Sequence, residues 1–313
     1  MLPIGCDSMG TGKKPAMLAL LVIVVVIVIA VAYMIWQGSS GSAASSSPLY
    51  KTFSSSHFDA SDAVTAVQQI AGMVNGTSEL NVSYSGSASV RGTYGGSVSV
   101  NIPVNLSMSY AKYGTNYMFA FGASGNILGH SFNQSTYGYS INGTQYSCTK
   151  SSTNGSISCM RAISSGFNLT KLNSINSTVL AELNSVVGFS NSRASTASYN
   201  GQPCVLFSSN VSVSISNLTR IANQASSVPT ATSNGSANGF ASGCFSSTYG
   251  LPLNLTLSVY ASNLNFSGAN VSGSGTISLH ETALSTSVNP AYVDTLPGPV
   301  INSSIAVVSS GLP

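Results

Sequence analysis

Residues Ala16 to Trp36 read AMLALLVIVVVIVIAVAYMIW, an uncharged run of twenty-one residues. At a helical rise of about 1.5 Å per residue this run crosses a hydrocarbon core of about 30 Å once. The sequence therefore predicts a transmembrane helix over 16–36. Lys13 and Lys14 stand directly before it, whereas Gln37 and the SSGSAASSSP stretch behind it carry no charge. The basic-side bias places residues 1–15 in the cytoplasm and the rest of the chain outside. A cleaved signal peptide has an apolar region of about 7–15 residues that ends in small residues. This run is longer and ends in Tyr33-Met34-Ile35-Trp36, so the expectation is an uncleaved signal-anchor, a single span of the cell membrane.

The outer part is almost free of charge. Charged residues are 5% of the chain and the net charge is +3, where about 25% is ordinary. Lys51, Arg91, Lys112, Lys150, Arg161, Lys171, Arg193 and Arg220 are scattered singly, so no nucleic-acid partner is expected. The polar surface must come from Ser, Thr and Asn. Asn-x-Ser/Thr sequons occur at Asn75, Asn81, Asn105, Asn133, Asn142, Asn154, Asn168, Asn176, Asn210, Asn217, Asn234, Asn254, Asn265, Asn270 and Asn302, and none precedes the apolar run. These are the candidate glycosylation sites of an exported chain.

Cys6 lies on the reducing side of the predicted span, while Cys148, Cys159, Cys204 and Cys244 lie where disulfides persist. Four cysteines allow three connectivities. The turn signal Thr153-Asn154-Gly155-Ser156 between the first two favours 148 with 159, leaving 204 with 244. No C-x-x-C spacing exists, so no metal site is expected.

Residues 37–52 read as a Ser/Gly-rich tether. Asp59 or Ser61 can cap a helix running to about Val74, on which Val64, Val67, Ala71 and Val74 form a stripe. The period-2 signal is stronger. In 97–110, Val98, Val100, Ile102, Val104, Leu106, Met108 and Tyr110 alternate with polar residues and Pro103, which predicts a long half-buried strand with an edge or bulge at Pro103. The same alternation marks Leu80, Val82 and Tyr84; Val211, Val213 and Ile215; Leu253, Leu255, Leu257 and Val259; and Val271, Ile277 and Leu279. Val179, Leu180, Leu183, Val186 and Val187 predict a second helix over 176–187. From Val288 the chain becomes Pro-containing, and 288–313 reads as an extended tail or an edge segment. Strands with one dry face, accompanied by a few short helices, make an α+β domain over 53–287 built on a large antiparallel sheet.

Three segments within that domain resemble a known family. They are Tyr146-Ser147-Cys148-Thr149 with Gly155-Ser156-Ile157-Ser158-Cys159; Asn200-Gly201-Gln202-Pro203-Cys204-Val205-Leu206-Phe207; and Gly243-Cys244-Phe245 with Tyr249-Gly250-Leu251-Pro252-Leu253. Together they resemble LolA/LppX-like lipoprotein-carrier proteins, in particular membrane-anchored prokaryotic relatives. The resemblance covers about 58–285 by element order and some forty residues by motif. It implies a strongly curved half-barrel whose concave apolar face, lidded by helices, holds a lipid or the lipid anchor of a lipoprotein. Candidate cavity residues are then Val98, Val100, Ile102, Val104, Leu106, Met108, Leu253, Leu255, Leu257 and Val259. No docking surface for a carrier's partner is identifiable, and a permanent anchor forbids free shuttling.

Catalytic signals are missing. His57, His130 and His280 are far apart in sequence, and no nucleophile elbow, Walker loop, H-E-x-x-H or EF-hand pattern occurs. Asp59 and Asp62 suit a helix N-terminus. Tyr110, Tyr113, Tyr117, Tyr137, Tyr139 and Tyr146 suit strands. The expectation is a membrane-anchored extracellular glycoprotein that binds an apolar ligand without chemistry, metal or cofactor. The alternative is a structural envelope or pilin-like subunit, for which Lys14-Pro15-Ala16 resembles the leader of type IV pilins and archaeal surface filaments.

Overall fold

The computed structural model describes residues 48–94, 98–127, 130–150, 155–161, 184–214, 216–217, 233–266 and 269–301. The predicted span at 16–36, residues 1–15 and the tether to 47 lie outside the described residues. Among the described residues no helix is long and apolar enough to cross a membrane.

Alternating apolar residues give the strands β1 (Glu79–Tyr94), β2 (Val98–Tyr113), β3 (Asn116–Ile127), β4 (His130–Ile141), β5 (Thr144–Lys150), β6 (Ile157–Arg161), β7 (Val187–Tyr199), β8 (Gln202–Ser214), β9 (Ser233–Asn234), β10 (Ser236–Ser246), β11 (Pro252–Phe266) and β12 (Ala269–Ser285). They form one sheet in the order β6-β5-β4-β3-β2-β1-β12-β11-β10-β8-β7, with β9 paired to β11. The chain thus meanders from the centre to one edge, restarts at the other edge, and returns to the centre. There β12 pairs antiparallel with β1. Asn142-Gly143 and Asn200-Gly201 have positive φ at both residues and close the β4–β5 and β7–β8 hairpins, the conformation that matches strand twist. Pro103 faces Ser89 on the β1 side, and β2 pairs with β3 only from Val104 onward, so β2 is locally an edge at the proline.

The sheet is curved. β3 and β7 stand seven strand spacings apart in this order, about 33 Å on a flat sheet. Even so, Phe119 and Phe121 of β3 and Phe189 of β7 belong to one apolar cluster with two short helices. The bend brings neighbouring backbones close at glycines. A Cβ on Gly86 would lie 2.6 Å from Leu279 Cδ2, and one on Gly239 would lie 3.1 Å from the Val259 Cα.

The helices α1 (Pro48–Phe53) and α2 (Ala60–Gly76) roof the inner face. The tether expected to run to 52 therefore gives way at Pro48, because Leu49 and Phe53 are apolar enough to bury at 0% and 4% exposure. Phe53 lies 4.6 Å from Phe207 and 5.0 Å from Phe245, and Phe58 lies 4.7 Å from Phe207 and 5.1 Å from Phe189, ring centre to ring centre. This knot fixes the roof to β7, β8 and β10.

Asp59 caps α2 by accepting from the Ser61 and Asp62 backbone N–H groups at 2.7 and 3.1 Å, and the Asp59 N–H donates back to the Asp62 carboxylate at 3.4 Å. Of the expected stripe, Ala71 and Val74 are buried, at 5% and 1% exposure, but its N-terminal half is rotated. Ala66, Ile70 and Val74 face the core with Ala63 and Met73 beside them, whereas Val64 and Val67 are half-buried. The small residues Ala63 and Ala66 let the helix sit close to the sheet, and a pattern read from bulky residues alone misses that face. The predicted helix at 176–187 lies mostly outside the described residues. At its end Val187 opens β7 instead, paired with Val213.

Residues 288–301 pack on the outer face. Val288 and Val293 join Ala111, Met118, Tyr139, Cys148 and Cys159 in a second cluster. Val293 lies in the short helix α3 (Ala291–Asp294). The Val288 N–H donates to Glu79 Oε2 at 3.2 Å, and Asn116 Nδ2 donates to Asp294 Oδ1 at 2.7 Å. The Cys159 N–H donates to the Pro299 carbonyl and the Ile301 N–H to the Cys159 carbonyl, adding a parallel bridge to edge strand β6. The described part of the expected tail is thus an edge segment, drawn in by its apolar side chains.

The C-terminus of α2 is held from below. Lys112 of β2, at 7% exposure, donates through Nζ to the carbonyls of Thr77, Asn75 and Val74 at 2.6, 2.7 and 3.4 Å. A cation on the terminal carbonyls suits the helix dipole. Lys112→Met keeps the stem and removes the donors. It is expected to cost about 2 kcal/mol in urea denaturation, and a variant as stable as the parent contradicts this role.

Candidate ligand-binding face

Register and pleat divide every strand between two faces. The inner face carries Leu80, Val82 and Tyr84 of β1, Leu106, Met108 and Tyr110 of β2, Ile277 and Leu279 of β12, and Val205 and Phe207 of β8, all in the cluster roofed by α1 and α2. Of the candidate cavity residues, Leu106 and Met108 are at 6% and 4% exposure within this roofed part. Ile102, Val104, Leu255, Leu257 and Val259 are half-buried on the same face. Val98 and Val100 are in register with Tyr94 and Gly92, and their side chains lie outside the description.

Leu253 departs from its strand mates. The β10–β11 register shifts between Cys244 and Phe245, so that Phe245 opposes Pro252 while Cys244 opposes Asn254. The shift turns Leu253 toward Cys204 and Cys244, and it buries at 1% exposure in a separate small cluster with them.

Small residues recur at inner-face positions of three strands. Gly86 and Ala88 lie on β1, Gly273 and Gly275 on β12, and Gly239, Ala241 and Gly243 on β10, all at inward parity with the buried residues of their strands. Half-buried Val104, Phe121, Leu255, Leu257 and Val259 stand on the same face. Ala88 is covered, at 4% exposure within the roofed cluster, and Gly243 is buried, while the half-buried set leaves part of the apolar inner face exposed beside the helices.

Two polar groups interrupt the dry face. Tyr84 is at 3% exposure, and its hydroxyl has no hydrogen-bond partner. Burial first, and the neighbouring Glu281 carboxylate second, raise its pKa well above the ordinary tyrosine value. Glu281 is at 8% exposure and stands opposite Tyr84 in the β1–β12 register, next to the irregularity between Ser83 and Tyr84. Neither Glu281 nor Lys112 stood out in the sequence as a functional residue. Both occupy inward positions, Glu281 after Ile277 and Leu279, Lys112 after Met108 and Tyr110, so continuing the period-2 count would have found them.

The tyrosines expected to cluster are divided by the sheet. Tyr110 and Tyr117 stack at 6.3 Å on the inner face. Tyr137, Tyr139 and Tyr146 pack on the outer face against Val288 and Val293, and Tyr113 is exposed.

Both disulfides lie on the outer face. Cys148 pairs with Cys159 and Cys204 with Cys244, at Cα separations of 4.0 and 5.6 Å. The strand sequons Asn81, Asn105, Asn133, Asn210 and Asn254 share that face by parity. Asn105, Asn133, Asn142 and Asn210 are exposed, while Asn75 and Asn81 are half-buried. Asn217 Nδ2 is engaged by the Ser185 carbonyl at 2.7 Å, and Asn254 Oδ1 accepts from the Cys244 N–H at 3.0 Å. Asn234, Asn265 and Asn270 are placed on β9, β11 and β12 by backbone alone. Asn154, Asn168, Asn176 and Asn302 lie outside the described residues. Among the described residues no group of three or more His, Cys, Asp or Glu converges as a metal site.

No family model matches the chain, and no curated protein matches it. Among solved structures, the chain is similar to a LolA superfamily protein from Nitrosomonas europaea, at 9% identity over 73% of this chain and 97% of that one, with a TM-score of 0.20. It is also similar to a β-barrel-like protein of a domain of unknown function from Brucella abortus, at 6% identity over 66% of this chain and 99% of that one, with a TM-score of 0.16. Likenesses this slight carry neither ligand nor role across to this chain.

Burial of the tyrosines has a consequence at high pH. Desolvation, the first cause in each case, raises the pKa of Tyr84, Tyr110 and Tyr117 and pushes Tyr139 up to about 12. Unfolded tyrosines ionise near pH 10. The stabilisation is therefore complete below about pH 10 and is lost as pH rises through the folded values. At pH 11 the folded protein should show less tyrosinate absorbance near 295 nm than the denatured protein, and equal absorbance contradicts the burial.

Proposed function

We propose that this chain is a membrane-tethered, exported binding protein that holds an apolar ligand, an acyl chain or the anchor of a lipoprotein, against the inner face of its sheet without chemistry. The observation that carries this reading is the part of the apolar inner face that the helices leave half-exposed. Val104, Phe121, Leu255, Leu257 and Val259 are half-buried there. Each methylene of a ligand buried against these side chains would contribute about 0.8 kcal/mol. Apolar sites of this kind hold ligands by enclosure, with few polar contacts.

The tether and its compartment rest on sequence. The uncharged run at 16–36 is long enough to span a bilayer. Two paired disulfides suit an oxidising compartment outside it. Of the sequons, the exposed Asn105, Asn133, Asn142 and Asn210 present free amides to solvent, whereas Asn217 and Asn254 are tied to backbone groups. Sugars on the outer face would leave the inner face uncovered by glycan.

Native mass spectrometry of the full chain released from its own membranes tests these points together. The expected spectrum shows a lipid-sized adduct lost in Leu257→Asp, and peptide mapping places hexose increments at the exposed sequons but not at Asn217 or Asn254. Protein that is always empty contradicts the binding role, and sugar-free sequons contradict the glycoprotein assignment.

A further inference from the structure

The outer face of β8, β10 and β11 is built mainly from small polar residues. Ser208 and Ser212 of β8, Asn238 and Ser242 of β10, and Thr256 and Ser258 of β11 share it by parity. Two aromatic side chains break this pattern. Phe240 stands at 45% exposure and Tyr260 at 57%. They hold diagonal positions of one strand pair, since Phe240 is in register with Ser258 and Tyr260 with Asn238, and diagonal aromatic side chains can reach each other. A lone exposed ring is ordinary. A pair of them on a face of hydroxyls and amides keeps apolar ring surface in water, and that surface gains from being covered.

The register supplies a cover. On its other side Phe240 is paired with Asn210 of β8, and Asn210-Val211-Ser212 is a sequon. Asn210 is exposed, and directly opposed residues on one face of an antiparallel pair hold their Cβ atoms about 5 Å apart. A sugar joined to Asn210 Nδ2 therefore begins beside the Phe240 ring. Tyr260 lies two strands across and one pleat repeat along from Asn210, about 12 Å away, within the span of a second sugar. The other exposed sequons within strands have no aromatic partner in register. Asn105 is opposed by Ser87 and Ser124, and Asn133 by Ser124.

We propose that Asn210 carries a glycan whose first sugar lies on Phe240 and whose second reaches Tyr260, so that the chain's own carbohydrate covers its exposed aromatic pair. One face of a pyranose ring presents C–H groups. Laying that face on an aromatic ring removes apolar surface of both from water while the sugar hydroxyls stay hydrated. The glycan at Asn210 is then part of the fold, whereas sugars at Asn105 and Asn133 are solvated attachments. This assignment rests on the glycoprotein reading and adds to it the site at which sugar packs against protein.

The test uses the full chain purified from its own membranes, with variants made in the same host. Peptide mapping reads sugar occupancy, NMR reads the protons of the Asn-linked sugars, and thermal unfolding reads stability. One first-sugar spin system is expected to show C–H protons shifted upfield by the Phe240 ring current. It should vanish in Asn210→Gln and return to the positions of the other first sugars in Phe240→Ser. Loss of this sugar through Asn210→Gln, or through Ser212→Ala, which keeps the asparagine, should lower the melting temperature by about 2–4 °C, and Asn105→Gln should leave it unchanged. Phe240→Ser should lower the melting temperature of the parent but not that of the Asn210→Gln variant. Any of four results overturns the stacking and leaves the glycoprotein reading standing: sugar at Asn105 and Asn133 but not at Asn210, no shifted protons, a melting temperature unmoved by Asn210→Gln, or an equal effect of Phe240→Ser with and without the sugar. Sugar at no sequon overturns both.

Discussion

The antiparallel pairing of β1 with β12 is the contact on which the rest of the sheet depends. One meander leaves the centre at β1 and the other arrives there at β12, so among the described residues this ladder joins the two halves of the sheet. Its register runs from Asn81 opposite Ser285 to Tyr94 opposite Val271. No hairpin can form it, because the partners are separated by nearly the whole domain; its closure entropy must be met by the core that forms with it. The same ladder sets the site. Its irregularity between Ser83 and Tyr84 brings Glu281 opposite Tyr84, and its central position puts both beneath the roof.

Curvature then separates the two faces by role. The inner face collects the phenylalanine cluster, the helices and the recurring small residues, and it is here that backbones approach too closely for any side chain at Gly86 and Gly239. The outer face carries both disulfides, the Ser- and Asn-bearing positions of the strands, and the 288–301 segment that covers β3 to β6. Fastenings on the outside leave the inside free to be a surface for something else.

Much of this was legible in the sequence, and the physical reason is the strictness of the two-residue period. The Val98–Tyr110 alternation gave a strand in its correct place, and the turn at Thr153–Ser156 pointed to the Cys148–Cys159 pair. What strand alternation cannot encode is the order of strands, so the β1–β12 contact was invisible. Bulky residues misdirected the reading of α2, whose inward side is built on Ala63 and Ala66. Leu253 was placed with Leu255 because a register shift leaves no mark in composition. Lys112 reads in the sequence as one of the singly scattered charges, and Glu281 carries no motif, although parity with Tyr110 and Leu279 makes both inward residues. The juxtaposition of Tyr84 and Glu281 is thus something that only the fold brings about.

Methyl-resolved NMR of the protein with a carbon-labelled acyl ligand tests the central claim most directly, since the two faces differ in which methyl groups a chain can reach. Binding at the inner face predicts intermolecular contacts from the acyl chain to Val104, Leu255, Leu257 and Val259 and none to Leu206, which is exposed on the outer face, or to Leu253 beside the Cys204–Cys244 disulfide. Contacts to Leu206 in place of the inner set would contradict it.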